Sequence, residues 1–290
     1  MEPTLLQILL LGLVQGAAEL LPVSSSAHVI VAEKLIGLDP ASPAMTFLLV
    51  MLHTGTMIAV IAYFWKAWCK TFFVNAASFK TTVWHVGVAT ITTLAVFGIL
   101  KVLIEKVLMH GTSHDEIEDL FGHLPLIGAA LLIVGLLILI TGLIRKNDGT
   151  LPLDLASSFW IGVSQGICLP FRGLSRSGTT ISTGVLLGIT RQRVEEFSFA
   201  LAVVITPPAI AKELMRVLKH AGSVSSAPVT HVQLLHLLGP GLFGMVGSFI
   251  AGILALKLLS SWLEKGHWAW FGYYCIAFSG FVFFLASRGY

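Results

Sequence analysis

Residues 15–28 read QGAAELLPVSSSAH: a carboxylate, a proline and three serines set inside an otherwise apolar stretch that occupies residues 4–36. Residues 155–189 follow the same plan, with an apolar helical pattern, a break at Pro170, the polar run GLSRSGTT at 173–180, and a second short helical pattern. A full membrane span takes about 20 mostly apolar residues, so neither half of either segment crosses a bilayer alone. Irregular backbone at membrane depth survives only where it is buried in protein or lines a wet cavity. Both segments are therefore expected to be re-entrant hairpins that enter the membrane, turn, and leave on the side they came from.

The rest of the chain fits that solvent. Of its 290 residues only 11% are charged and 56% are apolar, against about 25% charged in an average soluble domain, and the mean hydropathy is +0.87. Six spans are expected at 44–65, 82–104, 124–144, 196–218, 233–259 and 268–287. The net charge of +3 is weak and scattered between apolar runs, which argues against a nucleic-acid partner. Cys69, Cys168 and Cys275 have neither metal-ligand spacing nor the even count of a disulfide framework, and all three read as small buried residues. No basic residue precedes the first apolar run, so residues 1–36 read as part of the fold rather than as a signal peptide.

The order hairpin, three spans, hairpin, three spans suggests a duplication. Gly12, Gln15 and Gly16 match Gly162, Gln165 and Gly166 at an offset of 150, as Phe47 matches Phe197. With three spans per half, the second copy is expected to be inverted, giving one repeat at 1–148 and another at 149–290, with the two broken segments facing each other near the midplane. Lys66, Lys70 and Lys80 in the first long loop, Arg145 and Lys146, and Arg191 and Arg193 assign three connections to the cytoplasmic side. The loop 107–123, with Asp115, Glu116, Glu118 and Asp119, then faces outward with both termini, although Lys219 also falls on that side.

Two polar clusters carry the chemistry. Gln15 and Glu19 share a helix face. A carboxylate in an apolar segment is expensive unless a cation, an arginine or a metal pairs with it, or a hydrogen bond to the hairpin backbone satisfies it. Ser24, Ser25 and Ser26 stand where a helix cap is expected, yet exceed what one cap needs. The helix start they mark is a ready anion site. His28, three residues after Ser25, is either structural or a proton carrier. In the second cluster Gly173 and Gly178 allow close backbone approach, Ser175, Ser177 and Thr180 offer hydroxyls, and Arg176 offers a planar, permanently charged fork matched to phosphate. Arg176 is alternatively, or in addition, the neutralising partner of Glu19. A charge clamp, a hydroxyl and a proton carrier are the parts of phosphoryl transfer.

These motifs resemble the two signatures of the undecaprenyl pyrophosphate phosphatases, the bacitracin-resistance family. The first signature reads roughly [EQ]-G-x-x-E-[FL]-[LI]-P-[VI]-S-S-[ST]-[GA]-H and the second P-G-x-S-R-S-G-x-T. The stretches TFLLVMLHTGTMIAVIAYFW and EFSFALAV resemble flanking parts of the same family. The resemblance implies an all-α, multi-pass enzyme of the bacterial inner membrane with two re-entrant hairpins in inverted repeats. It implies a site opening to the periplasm that removes one phosphate from a polyprenyl pyrophosphate with the help of a divalent cation, Mg²⁺ or Ca²⁺. By motif position Glu19 and Gln15 would serve metal and catalysis, Ser25 would be the nucleophile or its partner, and His28 the proton carrier. Arg176, with Gly173, Ser175, Ser177, Gly178 and Thr180 and the serines Ser24 and Ser26, would bind pyrophosphate. The lipid tail would lie along an apolar groove between spans; a homodimer stays open. The chain departs from the family at Gln15, where many members carry Glu, at Arg172, which takes the place of a proline, and at His53-Thr54-Gly55, which stands for the usual Gln-Leu-Gly. The second span also lacks a G-x-I-P-A pattern. The rival reading from another class is a lipid-phosphate flippase, and a weaker one a small-anion transporter.

Overall fold

The computed structural model describes residues 3–38, 43–108, 123–144, 149–224 and 231–289. The expected features at Asp115, Glu116, Glu118, Asp119, Arg145 and Lys146, and at the side chain of Lys219, lie outside the described residues and side chains. Among the described residues the chain is all helical: α1 Leu5–Leu20, α2 Ser25–Leu35, α3 Pro43–Thr71, α4 Ala76–Leu103 with a π turn at Ile104–Leu108, α5 Leu124–Ile144, α6 Leu155–Cys168, α7 Arg176–Leu186, α8 Arg191–Val224, α9 His231–Glu264 and α10 Trp268–Ser287. Five of the six expected spans are helices long and apolar enough to cross a bilayer, in α3, α4, α5, α9 and α10. The sixth, 196–218, lies in α8, which continues through Pro207 and Pro208.

The expected boundaries need correction at the first long loop. Lys66 and Lys70 belong to α3 and Lys80 to α4, so the connection shrinks to residues 72–75. The Asn75 side chain accepts from the Ser78 N–H and caps α4, which lets the helix begin well before its apolar run. Cys69 is a second correction: it is exposed, because it sits near the C-terminal end of α3, whereas Cys168 and Cys275 are buried as expected.

Two helical hairpins, α1–α2 and α6–α7, stand out by length. At about 1.5 Å per residue, the 16 residues of α1, the 14 of α6 and the 11 each of α2 and α7 fall short of a hydrocarbon core of about 30 Å. Each hairpin is tied at its open end. The Gln7 amide donates to the Ile36 carbonyl in the first, and the Leu151 N–H donates to the Gly188 carbonyl in the second. Capping starts both: Thr4 and Asp154 each form reciprocal capping boxes. Hydrogen bonds from Ser157 hold the Asp154 carboxyl below the usual range.

Close helix approach organises the bundle. In lipid, apolar side chains gain little by leaving the solvent, so association relies on packing of small residues and on hydrogen bonds. Gly128, Gly135 and Gly142 repeat every seven residues along α5 and face α10. A Cβ on Gly135 would lie 3.0 Å from the Cys275 Cβ, and one on Gly272 would lie 2.6 Å from the Leu139 backbone nitrogen. The Ser279 hydroxyl closes the contact by donating to the Gly128 carbonyl at 2.7 Å. The substitution Gly272→Val should force α5 and α10 apart at a cost of about 1–3 kcal/mol. A lowered melting temperature in detergent is the expected result.

Candidate active site

Glu19 sits in the last turn of α1, and three elements converge on it. Within its own helix, the Gln15 amide nitrogen donates to Glu19 Oε2 at 3.2 Å. From the first residue of α2, the Ser25 hydroxyl donates to the same oxygen at 2.5 Å. From the first residue of α7, Arg176 Nη2 reaches Glu19 Oε1 at 3.4 Å. The pair is mostly enclosed, with 17% of the Arg176 side chain and 19% of the Glu19 side chain exposed. An isolated charge in such a place would be costly, and each partner offsets the cost of the other.

The hairpin tips position these groups. Ser24 has φ 70°, and among the described residues it is the one non-glycine with positive φ. It precedes α2 without capping it, so the first N–H groups of that helix are not taken up by its side chain. Gly173, at the tip of the second hairpin, has φ +108°, and a Cβ there would also meet the Ile127 carbonyl oxygen at 2.5 Å. Only glycine satisfies both demands. The two tips touch through the Ser177 hydroxyl, which donates to the Leu21 carbonyl at 3.3 Å.

The remaining expected phosphate ligands also take part in this scaffold. The Ser175 hydroxyl accepts the Gly178 N–H and caps α7. The Thr180 hydroxyl lies 2.8 Å from the Arg176 carbonyl and 2.7 Å from the Ser198 hydroxyl. The hydroxyls of Ser24 and Ser26 lie 3.3 Å apart, as do those of Ser175 and Ser177. Ser175, Ser177 and Thr180 are buried. Of the second cluster, Arg176 alone lines the cleft between the hairpins, together with Glu19, His53, Thr56, Ala202 and Thr206.

His28, three residues after Ser25, turns away from Glu19. Its Nδ1 donates to the Ser24 carbonyl at 2.8 Å, its Nε2 faces the Tyr274 hydroxyl at 2.7 Å, and its ring stacks on Phe278 at 4.0 Å. A carbonyl only accepts, so Nδ1 carries the proton and Nε2 accepts from tyrosine. Both nitrogens are satisfied away from Glu19, and His28 secures the carbonyl of the positive-φ residue. A different imidazole faces the acid. His53 of α3 donates from Nδ1 to the Leu49 carbonyl at 2.8 Å and holds Nε2 3.8 Å from Glu19 Oε2. His53 registered in the sequence only as a departure from the family pattern. Its place in an otherwise apolar span was the signal that it belongs to the site.

The family described as "Bacitracin resistance protein BacA" matches residues 8–281. The chain belongs to that family. It is 56% identical over 283 residues to a protein of Acinetobacter baylyi named undecaprenyl-diphosphatase 2, covering 97% of this chain and 98% of that one. A Methanobrevibacter smithii protein named undecaprenyl-diphosphatase is 30% identical over 309 residues, covering 98% of each chain. One of the same name from Korarchaeum cryptofilum is 31% identical over 280 residues, covering 93% of this chain and 95% of the other. These BacA-family matches run through both hairpins and the helices between them.

The substitution Glu19→Gln keeps the size of the side chain and removes its charge, leaving Arg176 without its carboxylate. A loss of about 1–3 kcal/mol is expected from a charged hydrogen bond of this kind. The check is the melting temperature in detergent, which should fall and should recover in part when Arg176→Met is added.

Proposed function

We propose that the chain is a membrane phosphatase that hydrolyses undecaprenyl pyrophosphate to undecaprenyl phosphate, recycling the lipid carrier of cell-wall precursors. The observation that carries the reading is the convergence of Glu19, Ser25 and Arg176 from two hairpins. The names of the relatives supply the substrate class. Arg176 holds the pyrophosphate charge. The Ser25 hydroxyl, with its proton directed at Glu19, attacks the terminal phosphorus or orients the water that does. In the first case a bond from Ser25 Oγ to phosphorus forms, the bond from phosphorus to the lipid phosphate oxygen breaks so that the lipid phosphate leaves, and the serine proton passes to Glu19; water then attacks the same phosphorus, the bond to Ser25 Oγ breaks, phosphate leaves, and the serine oxygen takes its proton back from Glu19. His53 stands in the cleft as the nearer imidazole for proton traffic, and His28 fixes the hairpin tip that presents Ser25. Ser175, Ser177, Gly178 and Thr180 hold Arg176 in place, and Gly173 shapes the turn before it.

A divalent cation, Mg²⁺ or Ca²⁺, fits as a companion of the substrate. At the site the described residues bring the carboxylate of Glu19 and, beside the Gln15 amide nitrogen that donates to it, the buried and unpartnered acceptor Gln15 Oε1. Such a cation commonly takes one or two carboxylates and completes its shell with phosphate oxygens. Glu19 and Gln15 would hold it, and its contribution would be to neutralise charge on the phosphate.

The finer architecture follows the same reading. The helices α2 and α7 are both 11 residues long and begin 151 residues apart, and Ser25 and Arg176, their first residues, both bind Glu19. This supports a duplication into 1–148 and 149–290, with six spans and two re-entrant hairpins in inverted orientation. Lys66, Lys70 and Lys80 gather at the α3–α4 turn, which favours that end as cytoplasmic. The site then opens toward the periplasm of a bacterial inner membrane. A second reading, a flippase for lipid phosphate, draws on the same matched hairpins.

Phosphate release from undecaprenyl pyrophosphate in detergent separates the two, because a pure flippase releases none. The wild type should release phosphate, and Arg176→Ala should lower kcat/KM by about a hundredfold or more. A chelator should slow the wild type. An Arg176→Ala protein with normal turnover would overturn the scheme.

A further inference from the structure

Two helices bring an acid and an imidazole into one cleft, and a third fixes them there. A Cβ on Gly16 of α1 would collide with the Ser248 carbonyl of α9, and one on Gly55 of α3 would collide with the Met245 carbonyl of the same helix. The Ser248 hydroxyl also donates to the Leu52 carbonyl at 2.8 Å. Both helices therefore seat on one turn of α9, and sliding either would bring side chains against backbone. Glu19 follows Gly16 by three residues and His53 precedes Gly55 by two, so this seat sets the distance between the two side chains.

The imidazole presents a lone pair to the acid. The His53 Nδ1–H is held by the Leu49 carbonyl, which leaves Nε2 as the acceptor nitrogen, 3.8 Å from Glu19 Oε2. That is too long for a hydrogen bond, whose N···O distance is about 2.7–3.2 Å. It suits a shared metal ion, which takes imidazole nitrogen and carboxylate oxygen at about 2.0–2.2 Å each. The carbonyl behind Nδ1 is the kind of support that fixes the tautomer and ring orientation of a metal-binding histidine. Both side chains reach the cleft, with 32% of His53 and 19% of Glu19 exposed. Among the described residues no group of three His, Cys, Asp or Glu forms a closed metal cage. The other ligands of such an ion would then be phosphate oxygens and water, as in an open site.

We infer that His53 ligates the cation that accompanies the substrate, and that it turns the site toward transition ions such as Co²⁺ or Zn²⁺ over Mg²⁺ and Ca²⁺. The inference rests on the phosphatase reading above, which supplies the pyrophosphate beside the ion. The oxygens of Glu19 and Gln15 by themselves suit Mg²⁺ or Ca²⁺. An imidazole adds a softer nitrogen, which favours Co²⁺ and Zn²⁺ and does little for Ca²⁺. Arg176, on the other oxygen of Glu19, repels a cation until an anion lies between them, so ion and pyrophosphate bind together. A nitrogen that holds the ion carries no proton, and in the loaded site the serine proton passes to Glu19 alone.

The test uses the full-length protein in detergent with methylenediphosphonate, a pyrophosphate mimic that is not hydrolysed. With Mn²⁺ as a paramagnetic probe, electron spin echo modulation of the wild type should show the nitrogen coupling of a bound imidazole. His53→Gln, which places the residue usual in the resembling family at this position, should lose that coupling. By equilibrium dialysis the same variant should bind Co²⁺ about tenfold more weakly or worse, with Ca²⁺ affinity changed less than about twofold. His53→Asn should repeat the result if His53→Gln fails to fold. No nitrogen coupling in the wild type, a coupling that survives the substitution, or equal Co²⁺ affinity in wild type and variant overturns the assignment. Absence of phosphate release by the wild type would sink the phosphatase reading, whereas ion binding beside methylenediphosphonate reports on His53 by itself.

Discussion

The structure depends on one ion pair formed where ions are costly. Glu19 ends a helix too short to span a membrane, Arg176 begins another, and the two hairpins that carry them meet tip to tip. Neither charge could be retained alone among helices this apolar. Their pairing, with Ser25 and Gln15 on the same carboxylate, holds the hairpins together. It also assembles an anion-binding group beside a hydroxyl with an acceptor for its proton. In the function proposed, stability and chemistry draw on the same contact, which ties the hairpin fold to the site.

Everything around the pair limits its freedom. The Ser198 hydroxyl and the Thr180 hydroxyl brace the start of α7, and Arg176 also reaches the Ser198 carbonyl at 3.4 Å. The Phe199 ring lies 5.8 Å from the guanidinium carbon, a cation–π contact that helps shield the charge. On the other side, the His28 hydrogen bond stabilises the Ser24 carbonyl in an unfavourable backbone conformation. Such rigidity suits phosphoryl transfer, which draws mainly on positioning and fixed charge.

Much of this was legible in the sequence. The lengths of the apolar runs located five spans, and the Pro, Gly and Ser breaks located both hairpins, because an interruption in an apolar segment has few physical explanations. Glu19 and Arg176 stood out for the same reason: charge in that setting requires a partner. The direction of side chains around a tight turn was not legible. His28 points to Tyr274, Thr180 is absorbed by Ser198, and His53 arrives from a helix whose register against α9 depends on Gly55 and Gly244. The α3–α4 connection was misjudged because polar helix ends resemble loops in a hydropathy pattern.

The most direct test of the central claim is a double-mutant cycle on Glu19→Gln and Arg176→Met, read as thermal stability in detergent without substrate. Direct contact between the side chains predicts a coupling energy of about 0.5–3 kcal/mol, with the double variant less destabilised than the two single losses combined. Additive losses would contradict the account, since they would mean that the two charges do not meet.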